Sequence, residues 1–174
     1  MMWIFMISCI VLYLALPEST LLGLGVCNNH ILCSFTYMFS HSSWLHLFMN
    51  VLSLSLIWRP ICRLWEIKYG YTTKLLWLYC YLAAVLSGFI CSSDAVTVGA
   101  SGIIYFLLGV LLLLNPTLQQ LKGYIWILVI IICQIYFGKS NVALHIVSFF
   151  EGVLLVIIKE AKKRLYEYRG IHKD

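Results

Sequence analysis

The sequence predicts an all-α integral membrane protein: a single domain built as a six-transmembrane-helix bundle. Three observations predict it. Of 174 residues, 62% are hydrophobic and only 11% are charged, against about 45–50% and about 25% in ordinary soluble domains. The apolar residues fall in runs suited to a hydrocarbon layer about 30 Å thick. The cations fall between those runs and at the C-terminal end. A soluble sphere of this size needs more polar surface than the chain owns. The same arithmetic excludes a secreted disulfide scaffold, a disordered chain and a nucleic-acid module, and makes the lipid bilayer the principal partner.

The first span, residues 1–16, is a continuous apolar run ended by Pro17-Glu18. It resembles the core of a signal peptide, but no Lys or Arg precedes it, so it reads as a retained span. A connection over 18–40 follows, and its 21–26 stretch is apolar enough to dip into the membrane interface. The second span starts at Trp44 and ends around Trp58-Arg59-Pro60, where a basic loop begins. The third covers 71–90. A polar turn at 91–98 precedes the fourth, 99–114, which Asn115-Pro116 breaks. The fifth covers 123–137, Gly138-Lys139-Ser140-Asn141 makes a turn, and the sixth covers 142–158. Residues 1–160 then form the membrane domain and 161–174 a basic cytoplasmic tail.

Net charge is +5, from 12 Lys+Arg and 7 Asp+Glu. Arg59, Arg63, Lys68, Lys74 and Lys122 fall on one side of the six-span topology. The tail adds Lys159, Lys162, Lys163, Arg164, Arg169 and Lys173 to that side, leaving Lys139 alone on the other. By the positive-inside rule both termini are cytoplasmic. The 7 cysteines, an odd number, sit mostly inside apolar runs and form no C-x2-C pair. They read as small packing residues, with a disulfide between Cys27 and Cys33 as the alternative. Trp3, Trp44, Trp58, Trp65, Trp77 and Trp126 read as lipid-exposed, with interface anchors among them.

Polar side chains inside a span cost free energy and point to function. His41, His46 and Asn50 open the second span, Ser101 the fourth and His145 the sixth. A topology fixed by cations alone brings all three ends to the outer side. At about 100° per residue, His46 and Asn50 share a helix face, as do Ser101 and Tyr105, and His145 and Gly152. Gly99 and Gly102 flank Ser101, allowing a tight turn and a close neighbour. A serine at a helix N-terminus lies beside unpaired N–H groups that can stabilise an oxyanion. His145 is the candidate base that would activate it. The competing reading is packing, since small residues in membrane helices mostly serve helix contact and a lone membrane histidine is more often a satisfied interior group.

The same residues resemble a known family. His41-Ser42-Ser43-Trp44-Leu45-His46-Leu47-Phe48-Met49-Asn50 resembles the H-x4-H-x3-N motif on the second helix of rhomboid intramembrane serine proteases. Gly99-Ala100-Ser101-Gly102 resembles their G-x-S-G on the fourth helix, and His145 with Gly152 resembles the sixth-helix histidine motif. The resemblance spans about residues 3–160 and implies a rhomboid-like fold of the minimal six-helix bacterial type, in the plasma (inner) membrane. It implies Ser101 as nucleophile and His145 as general base, a dyad with no acidic third member. It implies an oxyanion hole from His46, Asn50 and the backbone at Ala100 and Ser101. Supporting roles fall to His41, Tyr105, Gly99, Gly102, Ser87 and Gly152. Among these, His41 holds the outer end of the second helix, Tyr105 packs on the histidine and Ser87 helps to hold catalytic water.

The implied substrates are transmembrane segments of other membrane proteins, cut near the outer face, with small residues at the cut site and helix breakers beyond it. The fifth span and a cap over 137–141 would gate their access. No cofactor, metal or nucleotide is implied. The chain departs from the family pattern at Ser148, where a glycine is usual, at Leu32-Cys33, near the place of a Trp-Arg pair, and at Glu151, an acid inside a span. The alternative function is a non-catalytic rhomboid-like scaffold that binds transmembrane clients, though such relatives typically lack the serine or the histidine. A haem or metal protein is a third reading. His41 and His46, about 140° apart on one helix, and the lack of H-E-x-x-H speak against it.

Overall fold

The computed structural model describes residues 1–114 and 141–168. Among these, α1 spans Met2–Ala15 and the short α2 spans Glu18–Gly23. Two 3₁₀ segments, Asn28–Phe35 and Tyr37–Phe39, lead into α3, Trp44–Tyr69. Then come α4, Thr73–Ile90, α5, Ser101–Leu114, and α6, Val142–Tyr168. No strand occurs among the described residues beyond one antiparallel bridge, Val26 to Thr97, which ties the first loop to the α4–α5 loop. α1, α3, α4, α5 and α6 correspond to the expected first, second, third, fourth and sixth spans. The expected fifth span, with Asn115-Pro116, Lys122 and the cap residues 137–140, lies outside the described residues.

α3, α4 and α6 are long and apolar enough to cross a membrane. α1 and α5 have 14 residues each, about 21 Å of helix at 1.5 Å per residue. α5 is the centre of the bundle. Gly102, Ile103, Tyr105, Phe106, Leu107, Leu108, Gly109 and Val110 are all buried, and α3, α4 and α6 pack around them. A helix apolar on every face belongs in the middle. Its most extensive contact is with α6. There, a Cβ on Gly109 would run into the Phe149 carbonyl, and a Cβ on Gly152 into the Phe106 carbonyl. The two backbones therefore touch, as small residues permit in membrane helices, where packing replaces the hydrophobic effect as the drive for association.

The structure corrects several expectations. α3 does not end at Trp58-Arg59-Pro60 but runs on to Tyr69, where Gly70 caps it in the left-handed region at φ 65°. Pro60 removes one backbone bond. The inward face continues past it through Ile61, Cys62 and Trp65, all buried, so packing holds the helix together. The expected basic loop is thus helix, and Arg59, Arg63 and Lys68 ride on it. Trp65 is fully buried rather than lipid-exposed, its ring 4.8 Å from that of Tyr69. α6 continues to Tyr168, so the first part of the basic tail is helical. Of the 21–26 stretch, Leu21 and Val26 are buried in protein while Leu22 stays exposed. Cys27 and Cys33 are free thiols, in line with the reading of the cysteines as unpaired and against the alternative of a disulfide.

Among the described residues the cations gather at one end. Lys68 pairs with Glu160 at 3.1 Å and donates to the Leu113 carbonyl at the C-terminal end of α5. Tyr69 donates to Glu160 at 2.8 Å. Lys159 donates to the Tyr79 hydroxyl at 3.0 Å and lies over the rings of Tyr71 and Tyr79. Ser101 is at the opposite end of α5.

Gly109→Ala and Gly152→Ala should each destabilise the protein by about 1–3 kcal/mol, because the added methyl pushes two backbones apart. Gly23→Ala, where nothing lies within 4 Å of the new Cβ, is the control. Thermal unfolding in detergent checks this, and equal Tm for the control and the crossing variants would contradict the close contact.

Candidate active site

The outer end of α3 is shaped by two serines. Ser43 caps the helix, its hydroxyl accepting the His46 N–H at 3.2 Å, an arrangement short hydroxyl side chains favour. The Ser42 hydroxyl meets His46 Nδ1 at 3.2 Å. When Ser42 donates there, the ring proton resides on Nε2. That nitrogen faces Gly99, where a Cβ would lie 2.6 Å from His46 Nε2 and 3.4 Å from Asn50 Nδ2. Asn50, one turn further along α3, is buried, and its Nδ2 has no hydrogen-bond partner. Two side-chain N–H groups thus converge beside Gly99. The glycine is required, since its φ is +116° and a side chain would displace His46. Its N–H donates to the Tyr37 carbonyl at 2.9 Å.

α5 starts next. Ala100 is buried, and its carbonyl accepts the N–H groups of Ile103 and Ile104 at 3.1 and 3.3 Å. The N–H of Ser101 belongs to the first turn, where no intrahelical acceptor exists, at the positive end of the helix dipole. Gly102 leaves room for three neighbours: a Cβ there would lie 2.9 Å from Tyr37 Oη, 3.2 Å from Leu144 Cδ2 and 3.3 Å from Ser148 Oγ.

Asn141 fixes the start of α6. Its Oδ1 accepts the Leu144 N–H at 3.1 Å, and its Nδ2 donates to the Cys91 carbonyl at 2.7 Å and to Thr97 Oγ1 at 3.1 Å. The first turn of α6 is thereby anchored to the α4–α5 loop. His145 stands on that turn, and its Nε2 lies 2.8 Å from Ser101 Oγ. With the ring proton on Nδ1, the hydroxyl donates and the imidazole accepts. The His145 ring is 6% exposed and lies flat on Tyr105, with centroids 4.2 Å apart and planes 25° apart. Among the described residues no carboxylate hydrogen-bonds to His145.

His41 precedes α3 rather than standing on it, so the helical angle between His41 and His46 does not apply. Their rings meet edge to face at 5.2 Å. Ser87, fully buried on α4, accepts from Ser148 and donates to Glu151, both at 2.8 Å, so its single proton is already committed. Ser148 is also fully buried, its hydroxyl tied to α4. Ser101, His145 and Tyr105 thus form one group and His46, Asn50, Gly99 and His41 a second, with the Gly99–Gly102 turn joining them. Gly152 belongs to the helix crossing below. Sequence reasoning missed Tyr37 and Asn141. Asn141, a polar residue just before an apolar run, was legible as an N-cap. Tyr37 gave no signal, because its role is long-range: its hydroxyl donates to the Ala84 carbonyl at 2.8 Å.

Burial first, and the His46 ring second, push His41 from the ordinary 6.5 down to about 3. The folded chain refuses a proton there that the unfolded chain accepts. The stability this group confers is full above about pH 6.5 and is lost as pH falls toward its folded value. The Tm of wild type in detergent should therefore fall between about pH 6.5 and about pH 4, and fall less steeply in His41→Gln. Parallel slopes would contradict a neutral, buried ring.

A family model for the Rhomboid domain matches residues 28–161. No curated protein matches the chain. The match covers well over half of a chain whose described residues are helical and membrane-suited, running from the first loop through the apolar length of α6, and the protein belongs to the rhomboid family.

Proposed function

We propose that the protein is an intramembrane serine endopeptidase, a peptide-bond hydrolase acting through a Ser101–His145 dyad on transmembrane segments of other membrane proteins. The observation that carries this reading is the 2.8 Å separation of His145 Nε2 and Ser101 Oγ at the N-terminus of a buried helix. A serine hydroxyl is a weak nucleophile until a base takes its proton. His145 takes it as Oγ attacks the scissile carbonyl carbon. The carbonyl oxygen becomes an oxyanion, stabilised by Nε2–H of His46, Nδ2–H of Asn50 and the backbone N–H groups of Ala100 and Ser101. The imidazolium then gives its proton to the leaving amine and the peptide bond breaks. In the second half, water attacks the acyl-serine, His145 takes its proton, and Ser101 leaves with that proton restored. Tyr105 holds the imidazole plane throughout, in place of an acidic partner.

Orientation follows from charge. The cations at the far end of α5 favour the cytoplasm, so both termini are cytoplasmic and the site opens to the outer side. Residues 1–160 act as the membrane domain and 161–174 as its basic extension. A helical substrate hides its carbonyls in its own hydrogen bonds, so it must unwind locally before Ser101 can reach one. That requirement favours helix-breaking residues near the cut and small residues at it.

A fluorophosphonate probe should label the wild type in detergent and leave Ser101→Ala and His145→Ala unlabelled. Both variants should lose cleavage of a model transmembrane substrate. His46→Ala and Asn50→Ala should keep the nucleophile but lower kcat by about 10²–10³-fold, as loss of one oxyanion donor does. Unchanged cleavage by Ser101→Ala would sink the reading.

A further inference from the structure

Behind the dyad runs a chain of hydrogen bonds that the hydrolytic cycle does not use. Ser148 Oγ donates to Ser87 Oγ at 2.8 Å, and Ser87 Oγ donates to Glu151 Oε2 at 2.8 Å. Ser87 and Ser148 are 0% exposed, and the second carboxyl oxygen of Glu151 is buried without a hydrogen-bond partner. An acid so placed in a membrane helix is costly. A leucine there would cost nothing of the kind, so the carboxyl calls for a use.

Its neighbours indicate that use. Ser148 lies three residues after His145, on the same face of α6 and one turn further in. Its hydroxyl also faces Gly102, the residue after Ser101, where an added Cβ would lie 3.3 Å away. Ser148 therefore lies beside the turn carrying the nucleophile and belongs to the helix carrying the base. Its hydroxyl orientation is set by Ser87, and Ser87's proton is drawn off by Glu151. Without that acceptor, a helical serine turns its proton to its own backbone one turn back, and the α4–α6 tie loses its fixed direction.

We propose that Glu151 is a positioning residue for the Ser101–His145 pair: through Ser87 and Ser148 it locks α6 to α4 at the depth of the dyad and fixes how His145 faces Ser101. This rests on the hydrolytic reading above. Glu151 touches no reacting atom. Its contribution is geometric, and a misplacement of about 1 Å in such a pair can cost about 10²-fold in rate.

The test is cleavage of a transmembrane reporter, with kcat expressed per probe-labelled site so that misfolded protein does not count. Glu151→Leu should lower kcat by about 10–100-fold while KM stays within about two-fold, since substrate binding is untouched. Glu151→Gln keeps an oxygen to accept the Ser87 proton and should restore kcat to within about three-fold of wild type. Ser148→Gly should blunt the effect of Glu151→Leu, because the two act along one chain. Wild-type kcat in Glu151→Leu, or a Glu151→Gln as slow as Glu151→Leu, would overturn the inference. In either case a wild type that cleaves beside an inert Ser101→Ala leaves the hydrolytic reading standing. A wild type that neither labels nor cleaves would overturn both.

Discussion

Gly109 on α5 and Gly152 on α6 each face the other helix's carbonyl, and their missing side chains determine how near the two axes come. Both helices begin at the same end of the bundle and run parallel. Ser101 stands eight residues above one glycine and His145 seven above the other, about two turns in each case. A serine side chain is short, so the close approach of the two helices helps to bring its oxygen to 2.8 Å from an imidazole on a neighbour. The spacing in each helix then does the rest, because equal rises keep the two first turns level. Tyr105, one turn below Ser101, meets the same histidine from its flat side.

Around that contact the protein tolerates an unusual amount of buried polarity. His41, Asn50, Ser87, His145 and Ser148 are all buried, in a molecule whose exterior is suited to hydrocarbon. Each such group is costly unless bonded. The bonds found are mostly between elements: Ser148 with Ser87, Ser87 with Glu151, Tyr37 with the Ala84 carbonyl, Asn141 with the α4–α5 loop. They act where apolar packing is weakest as a guide, since lipid tails and leucines are interchangeable solvents for one another. Polar ties fix depth and rotation, which apolar contact alone leaves free to slide.

Much of this was legible in the sequence, and for identifiable reasons. Spans with polar or glycine-rich limits were read within two residues, as at both ends of α4 and at the start of α5. The limits of α3 and α6 were misjudged, because charge and proline were read as stops. Cations beyond the apolar stretch are no obstacle to a helix emerging toward water, and Trp65 shows that burial can continue past Pro60. Ser101, His145, His46 and Asn50 were legible because their types are expensive in a membrane and their helical spacing is local. The ring contact of His41 with His46 and the role of Tyr37 were not, because both depend on how irregular chain folds back on itself, and no period in the sequence encodes that.

The length of α5 between Ser101 and Leu113 has a consequence for which bond such a site could reach. Leu113, twelve residues beyond Ser101, accepts from Lys68 at the cation-rich end. With that belt at the headgroups, the serine hydroxyl lies about 18 Å away along the helix axis, inside a hydrocarbon layer about 30 Å thick. On the hydrolytic reading proposed above, the protein would work as a depth gauge. Its basic residues would hold it at one level in the bilayer, and α5 would measure a fixed length up from them. On that reading a substrate helix would present to Ser101 whichever residue it carries at that height, so register against the membrane, as well as the local sequence, would determine where it is cut.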